Sequence, residues 1–249
     1  MMSLTEVKLS DIVRKQFLYK VKAYLGVFSS LLVVQAISLL LSTNGSRSMG
    51  TSYNSFSINI NYYTGDLSII FTLIWSFITA IIITTRAYRN DDFVFVSNRL
   101  SSHLSNVAFL FFASVIGGIS AVLTGQLFKV MMHLILKDGY VMGSAVPIPD
   151  LLLSIVVSIL YVFLLASLGY LVGMLVQLNR WLSVLLPTIV IGYMIIGTTT
   201  IGEPSIIVKL FNLYVQETHF PLFLLKIGVT TGLLFSISSI LTNKLEVRQ

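Results

Sequence analysis

The sequence predicts an all-α membrane protein with six transmembrane helices. Of its 249 residues 55% are hydrophobic and only 10% are charged, and the mean hydropathy is +0.89. Soluble domains carry about 25% charged residues, so a water-exposed fold of this length cannot bury so much apolar surface. The alternating segments of about ten residues that form transmembrane β-barrels are absent. The chain has no cysteine, which excludes disulfides and thiolate metal sites.

Six apolar stretches have the length of a membrane span. A helix needs about 20 residues to cross a hydrocarbon core of about 30 Å. The stretches are residues 23–41, 67–85, 107–128, 151–176, 182–201 and 222–241. They predict one transmembrane domain over residues 1–249, without a soluble domain.

The distribution of basic residues predicts the orientation. One set of loops and termini carries 11 of the 16 Lys and Arg residues, and the other carries five. Because cytoplasmic loops are the more basic ones, both termini are expected in the cytoplasm of a multi-pass protein of the cell membrane. This topology accounts for the net charge of +6 without a nucleic-acid partner. The charged first twenty residues do not resemble a cleaved signal peptide.

Two amphipathic helices are predicted outside the spans. Residues 1–22 begin with a capping-box pattern, Ser3 to Glu6, and continue with apolar residues on one face of a helix that lies in the membrane interface. Between spans 5 and 6, Glu203 and Pro204 mark a helix start. The residues that follow at helical spacing are Ile206, Ile207, Leu210, Phe211 and Tyr214. They predict an amphipathic or re-entrant segment in the outer leaflet.

The cytoplasmic loop 86–106, "RAYRNDDFVFVSNRLSSHLSN", combines charge with aromatic residues. Asn90 followed by two Asp residues is typical of a helix N-cap with acids near the positive end of the dipole. The loop is therefore expected to contain a short helix. It either lies at the headgroups, with its Arg side chains extended towards the lipid phosphates, or serves as a docking helix for a partner.

Small residues at a spacing of four predict close helix packing. The pairs are Gly169 with Gly173 in span 4 and Gly228 with Gly232 in span 6. Small residues at this spacing allow membrane helices to approach closely. The contacts are expected either within the chain or at a dimer interface.

Several catalytic and transport classes are disfavoured. The nearest match to a phosphate-binding loop, residues 45–51, lacks the lysine that reaches the phosphates. The three His residues are scattered, so no metal or catalytic site is predicted. The first five spans hold no charged residue, and Lys226, near the outer end of the sixth, is counted with the outer loops. Ion-coupled carriers usually place charge at mid-membrane, so the energy for any transport is expected from outside the membrane.

This layout resembles the exporter-type ABC permeases, the type-two permease family with the type V exporter fold. The stretch "YRNDDFVFVSNRLSSHLSN" resembles the coupling-helix region of small permeases from Gram-positive bacteria. The resemblance implies a separate ATPase, which holds the ATP and Mg²⁺, and a second permease chain in a homodimer or heterodimer. It also implies that the ATPase docks on Arg89, Asn90, Asp91, Asp92, Phe93, Phe95 and Arg99.

The implied function is export of amphipathic or hydrophobic substrates, a class that includes antimicrobial and toxin-like peptides. In this function the chain is a transport subunit in contact with membrane lipid. It is not an enzyme and has no catalytic, cofactor or metal residues of its own. The alternative is a non-transporting immunity or sensor protein that binds peptides at the outer face.

Overall fold

A computed structural model describes residues 8–43, 47–53, 56–62, 64–85, 87–88, 99–135, 146–179, 181–199, 206–217 and 219–244. In this part of the chain the helices are α1 (Leu9–Ala23), α2 (Leu25–Ser42), α3 (Asp66–Ile83), α4 (Arg99–Ile135), α5 (Ile148–Leu178), α6 (Leu182–Thr199), α7 (Ile206–Val215) and α8 (Phe220–Lys244). The strands β1 (Arg47–Tyr53) and β2 (Phe56–Tyr62) form an antiparallel hairpin between α2 and α3.

Five of the described helices are long and apolar enough to cross a membrane, namely α2, α3, α4, α5 and the Phe220–Thr242 part of α8. They coincide with five of the six predicted spans, so the prediction of a multi-pass helical membrane protein is supported. The remaining predicted span, 182–201, is helical over most of its length. Its apolar part, Leu182–Tyr193, is shorter than the others, and a sixth crossing therefore stays a prediction.

The centre of the bundle is α5, which packs against α3, α4 and α8. Gly169 and Gly173 lie where α5 meets α3. A Cβ atom at Gly169 would collide with the backbone of Phe77, and one at Gly173 would collide with the side chain of Thr84. This glycine pair is therefore a packing seam within the chain.

The longest helix, α4, extends beyond the predicted span 107–128 at both ends. Its 37 residues correspond to about 55 Å, against a hydrocarbon core of about 30 Å. Its first turns, from Arg99 to Asn106, belong to the end of the 86–106 loop and run directly into the span. Any displacement of that loop therefore acts on a helix that crosses the bundle.

The hairpin β1–β2 is an element that the prediction of an all-α fold did not include. It occupies most of the connection between α2 and α3, in which Ser, Asn and Tyr alternate with apolar residues. A period of two fits a strand and not a helix. The end of the bundle that carries this hairpin and α7 is the hairpin end. The opposite end, with α1 and the start of α4, is the α1 end.

Candidate functional site

A set of hydrogen-bonded side chains, which we call the polar chain, joins three helices at the α1 end. Lys20 Nζ in α1 donates to Ser105 Oγ at 2.8 Å and to Asn106 Oδ1 at 2.5 Å, both in α4. Asn106 Nδ2 in turn donates to the hydroxyl of Tyr170 in α5 at 3.4 Å. His103 Nδ1 lies 3.2 Å from the same hydroxyl. The polar chain therefore links α1, the start of α4 and the central helix α5.

The lysine of the polar chain is among the most deeply buried residues of the described structure. Lys20 is only 1% exposed. Burial of an ammonium group is strongly unfavourable unless hydrogen bonds replace its water, and the hydroxyl of Ser105 and the amide oxygen of Asn106 supply them. Sequence patterns placed Lys20 only among the basic residues that set topology. The available signal was its position on the stripe of α1 that leads to the helix end, four residues after Gln16 and four before the C-cap residue Tyr24.

Aromatic rings enclose the other end of the polar chain and add α8 to it. The His103 ring lies 5.4 Å from the Tyr170 ring and 6.4 Å from the Phe235 ring. Tyr170 and Phe235 are themselves 5.8 Å apart between centroids. Because Phe235 belongs to α8, the polar chain and its rings connect four helices at one end of the bundle.

One residue in the seam between α1 and the bundle is unsatisfied. Gln16 is 0% exposed, and among the described residues neither its Nε2 nor its Oε1 has a hydrogen-bond partner. A buried amide without partners destabilises the folded state by about 1–3 kcal/mol. Lys20 therefore supplies the polar part of the attachment of α1, beside the ring contact of Phe17 with Phe112, while Gln16 weakens it.

A second polar cluster lies inside the spans, around Gln35 of α2. Its Nε2 donates to Ser120 Oγ at 2.8 Å and to Thr72 Oγ1 at 3.3 Å, and its Oε1 accepts from Thr124 Oγ1 at 3.4 Å. The search of the spans for charged residues overlooked this uncharged amide. These hydrogen bonds hold α2, α3 and α4 together within the spans.

At the hairpin end, polar contacts hold the amphipathic helix α7 against the bundle. The hydroxyl of Tyr161 in α5 donates to the backbone oxygen of Tyr214 at 3.0 Å. Lys226 of α8 forms an ion pair with Glu217 and lies 3.5 Å from the backbone oxygen of Leu213. The hydrogen bond from Lys226 lowers the pKa of the Glu217 carboxyl below its ordinary value.

The position of Lys226 corrects one assignment. Sequence counting grouped it with the outer loops, but it lies in the second turn of α8, inside an apolar spanning helix. Its ammonium group extends towards the end of the helix and meets Glu217, as expected for a lysine near a membrane boundary. The charge is thus neutralised at the edge of the span and not at mid-membrane.

Most of the docking residues predicted in the loop lie outside the described residues. Arg99 opens α4, while the others lie outside the described residues, namely Arg89, Asn90, Asp91, Asp92, Phe93 and Phe95. Gly228 and Gly232 are exposed on α8, and in the described part of the chain no atom lies within 4 Å of where a Cβ of either residue would be. The described residues contain no group of three or more His, Asp or Glu side chains that could hold a metal ion.

Comparison of the chain with protein-family models, with curated proteins and with solved structures finds no match.

Proposed function

We propose that this chain is the membrane-spanning permease subunit of an ATP-binding-cassette exporter. Its substrates are amphipathic or hydrophobic molecules, including antimicrobial and toxin-like peptides, which it moves out of the cell or the membrane. The observation that carries the proposal is the polar chain. It fastens the interfacial helix α1 to the first turns of α4, the helix that begins where the 86–106 loop ends.

The polar chain gives a route for mechanical coupling. A separate ATPase docked on the 86–106 loop pushes on the start of α4. Lys20 transmits that movement to α1, and Tyr170 transmits it to the central helix α5. The spans hold almost no charge, which suits a protein driven by ATP in a partner and not by an ion gradient.

The docking surface proposed for the ATPase is the segment from Arg89 to Arg99. Phe93 or Phe95 fills a groove of the partner, and Asp91, Asp92 and Arg99 form ion pairs at its rim. ATP and Mg²⁺ are bound by the partner, so the purified chain is expected to hydrolyse no ATP.

A second permease chain is proposed to complete the pathway. Gly169 and Gly173 are used within the chain, whereas Gly228 and Gly232 are exposed on α8 and are available for contact with another copy or a relative. Gly232→Leu is expected to reduce cross-linking between chains without changing the unfolding of the single chain. Undiminished cross-linking would remove this glycine pair from the interface.

The decisive experiment is co-purification with the ATPase encoded by the adjacent reading frame. The double variant Phe93→Asp with Phe95→Asp is expected to insert into the membrane normally and to lose the ATPase. The matched control is Trp181→Asp, which changes a 79% exposed aromatic residue in the connection between α5 and α6, on the same predicted side. Retention of the ATPase by the double variant would overturn the docking assignment.

The immunity or sensor function remains the second candidate because α7 presents apolar residues at the hairpin end. Leu213 and Val215 are about half exposed there, while Tyr161 and Lys226 hold the helix backbone in place. Proteoliposomes that contain the chain and the ATPase separate the two functions. ATP-dependent peptide efflux supports the exporter, and peptide binding without efflux supports the alternative.

A further inference from the structure

The register of the β1–β2 hairpin sorts its residues onto two unlike faces. Paired residues of an antiparallel ladder share a face, and successive pairs alternate between faces. One face collects the pairs Met49–Ile60, Thr51–Ile58 and Tyr53–Phe56. The other collects Ser48–Asn61, Gly50–Asn59 and Ser52–Ser57. The hairpin is therefore amphipathic over the seven residues of each strand.

The hairpin starts and ends beside membrane-spanning helices. Residues 43–46 connect α2 to β1, and residues 63–65 connect β2 to α3. Within the described residues the principal contacts of each strand are with the other strand. A two-stranded hairpin alone is marginally stable in water, so its apolar face needs a cover.

We propose that the hairpin lies flat on the membrane at this end of the bundle, with its apolar face in the boundary between headgroups and acyl chains. An upright hairpin would carry the Tyr53–Phe56 pair about 20 Å into water. Lying flat, it places these aromatic residues and Tyr62 where aromatic side chains concentrate in membrane proteins. Arg47 pairs with Tyr62 and shares that face at the end of the hairpin next to α2.

This interaction with lipid is independent of the exporter proposal, because it requires only the membrane-spanning helices on either side. It makes the hairpin a surface anchor for the connected ends of α2 and α3. Failure of the ATPase to co-purify with the chain would not contradict the contact between the hairpin and lipid.

The test uses the absence of cysteine from the chain, which allows single nitroxide labels without a background. Labels are placed at Ile58→Cys and Ile60→Cys, with Ser57→Cys and Asn59→Cys as neighbouring controls on the other face. In lipid bilayers, electron paramagnetic resonance compares collisions with oxygen, which partitions into lipid, and with a nickel chelate, which stays in water. Oxygen is expected to dominate at 58 and 60, and nickel at 57 and 59.

Three outcomes would overturn the proposal. Nickel access at all four positions indicates an upright hairpin in water. Exclusion of both reagents at 58 and 60 indicates a cover made of protein, whether a second copy or another part of this chain. The absence of alternation indicates that the register does not persist in the bilayer.

A further variant guards against local disruption by the labels. A nitroxide at Met49→Cys is measured in the parent sequence and in the double variant Ile58→Ser with Ile60→Ser. The label is expected to move from oxygen access to nickel access in the double variant. An unchanged oxygen signal would contradict the role of the apolar face, and the thermal unfolding of each variant shows whether its fold is retained.

Discussion

Two amphipathic helices are attached to the same bundle in different ways. At the α1 end, the polar attachment is Lys20, which is 1% exposed and hydrogen-bonded to two side chains of α4. At the hairpin end, it is the pair of Glu217 and Lys226, whose side chains are 14% and 34% exposed, together with one hydrogen bond from Tyr161. One attachment is enclosed by protein, and the other is reached by solvent.

Both attachments use a lysine, and burial makes the contact of Lys20 stronger than that of Lys226. A buried ammonium group has no water to replace a lost partner, so it holds its position strongly. A partly exposed ion pair exchanges its partner for water at little cost. Under the proposed function, α1 is the helix that moves with the bundle, and α7 is the helix that can be released from it.

The largest expected effect is that of Lys20→Ala. The substitution removes the donor to Asn106 Oδ1 and Ser105 Oγ together with the buried alkyl chain, so we expect the free energy of unfolding to fall by about 3 kcal/mol. Lys22→Ala, an exposed lysine of the same helix, is expected to change it by less than about 0.5 kcal/mol. Denaturant titration in detergent micelles measures both. Equal effects at Lys20 and Lys22 would show that the buried lysine holds α1 no more strongly than an exposed one.

A matched pair of tyrosines compares the two ends directly. Tyr170→Phe deprives both Asn106 and His103 of a partner in a buried site, with an expected loss of about 2 kcal/mol. Tyr161→Phe removes a single partly buried bond to the Tyr214 backbone, with an expected loss of about 1 kcal/mol. Both variants keep their ring packing, and the same titration ranks them. The reverse order would show that the hairpin end is the firmer attachment.

Gln16→Leu, in the contact between α1 and the bundle, is expected to stabilise the folded protein. Gln16→Leu replaces a buried amide that has no partner with an apolar group of similar size, so we expect stability to rise by about 1 kcal/mol. Gln177→Leu provides a comparison at a site that has another interaction, where no gain is expected. A loss of stability in Gln16→Leu would contradict the assignment of its amide as an unsatisfied group.

The smallest effect concerns pH at the hairpin end. Because the hydrogen bond from Lys226 lowers the pKa of Glu217 from its ordinary 4.5, the pair is fully formed above that value. Its contribution is lost only as the pH falls through the lowered pKa. A nitroxide at Leu213→Cys is expected to gain mobility below pH 4.5, and Glu217→Gln should remove the pH dependence. A pH-independent signal in the protein with intact Glu217 would exclude the ion pair as a restraint on α7.

Composition and local pattern were enough to predict the membrane class, the positions of five spanning helices and the helices α1 and α7. These features follow from composition and from apolar periods of 3.6 residues, which each segment carries locally. The hairpin was missed because the search for long alternating segments passed over its short strands. The 86–106 loop was singled out by its charge and aromatic residues, and its docking role stays a prediction.

Which polar residues hold the helices together is set by the tertiary structure. Lys20 is basic like its neighbours on α1, and only the distant Ser105 and Asn106 distinguish it. The glycine pairs make the same point, since equal spacing gives a packed seam at Gly169 and an open surface at Gly228. Local pattern fixes where helices form and which residues share a face. Burial and hydrogen bonding depend on what another part of the chain places opposite that face, which no local pattern contains.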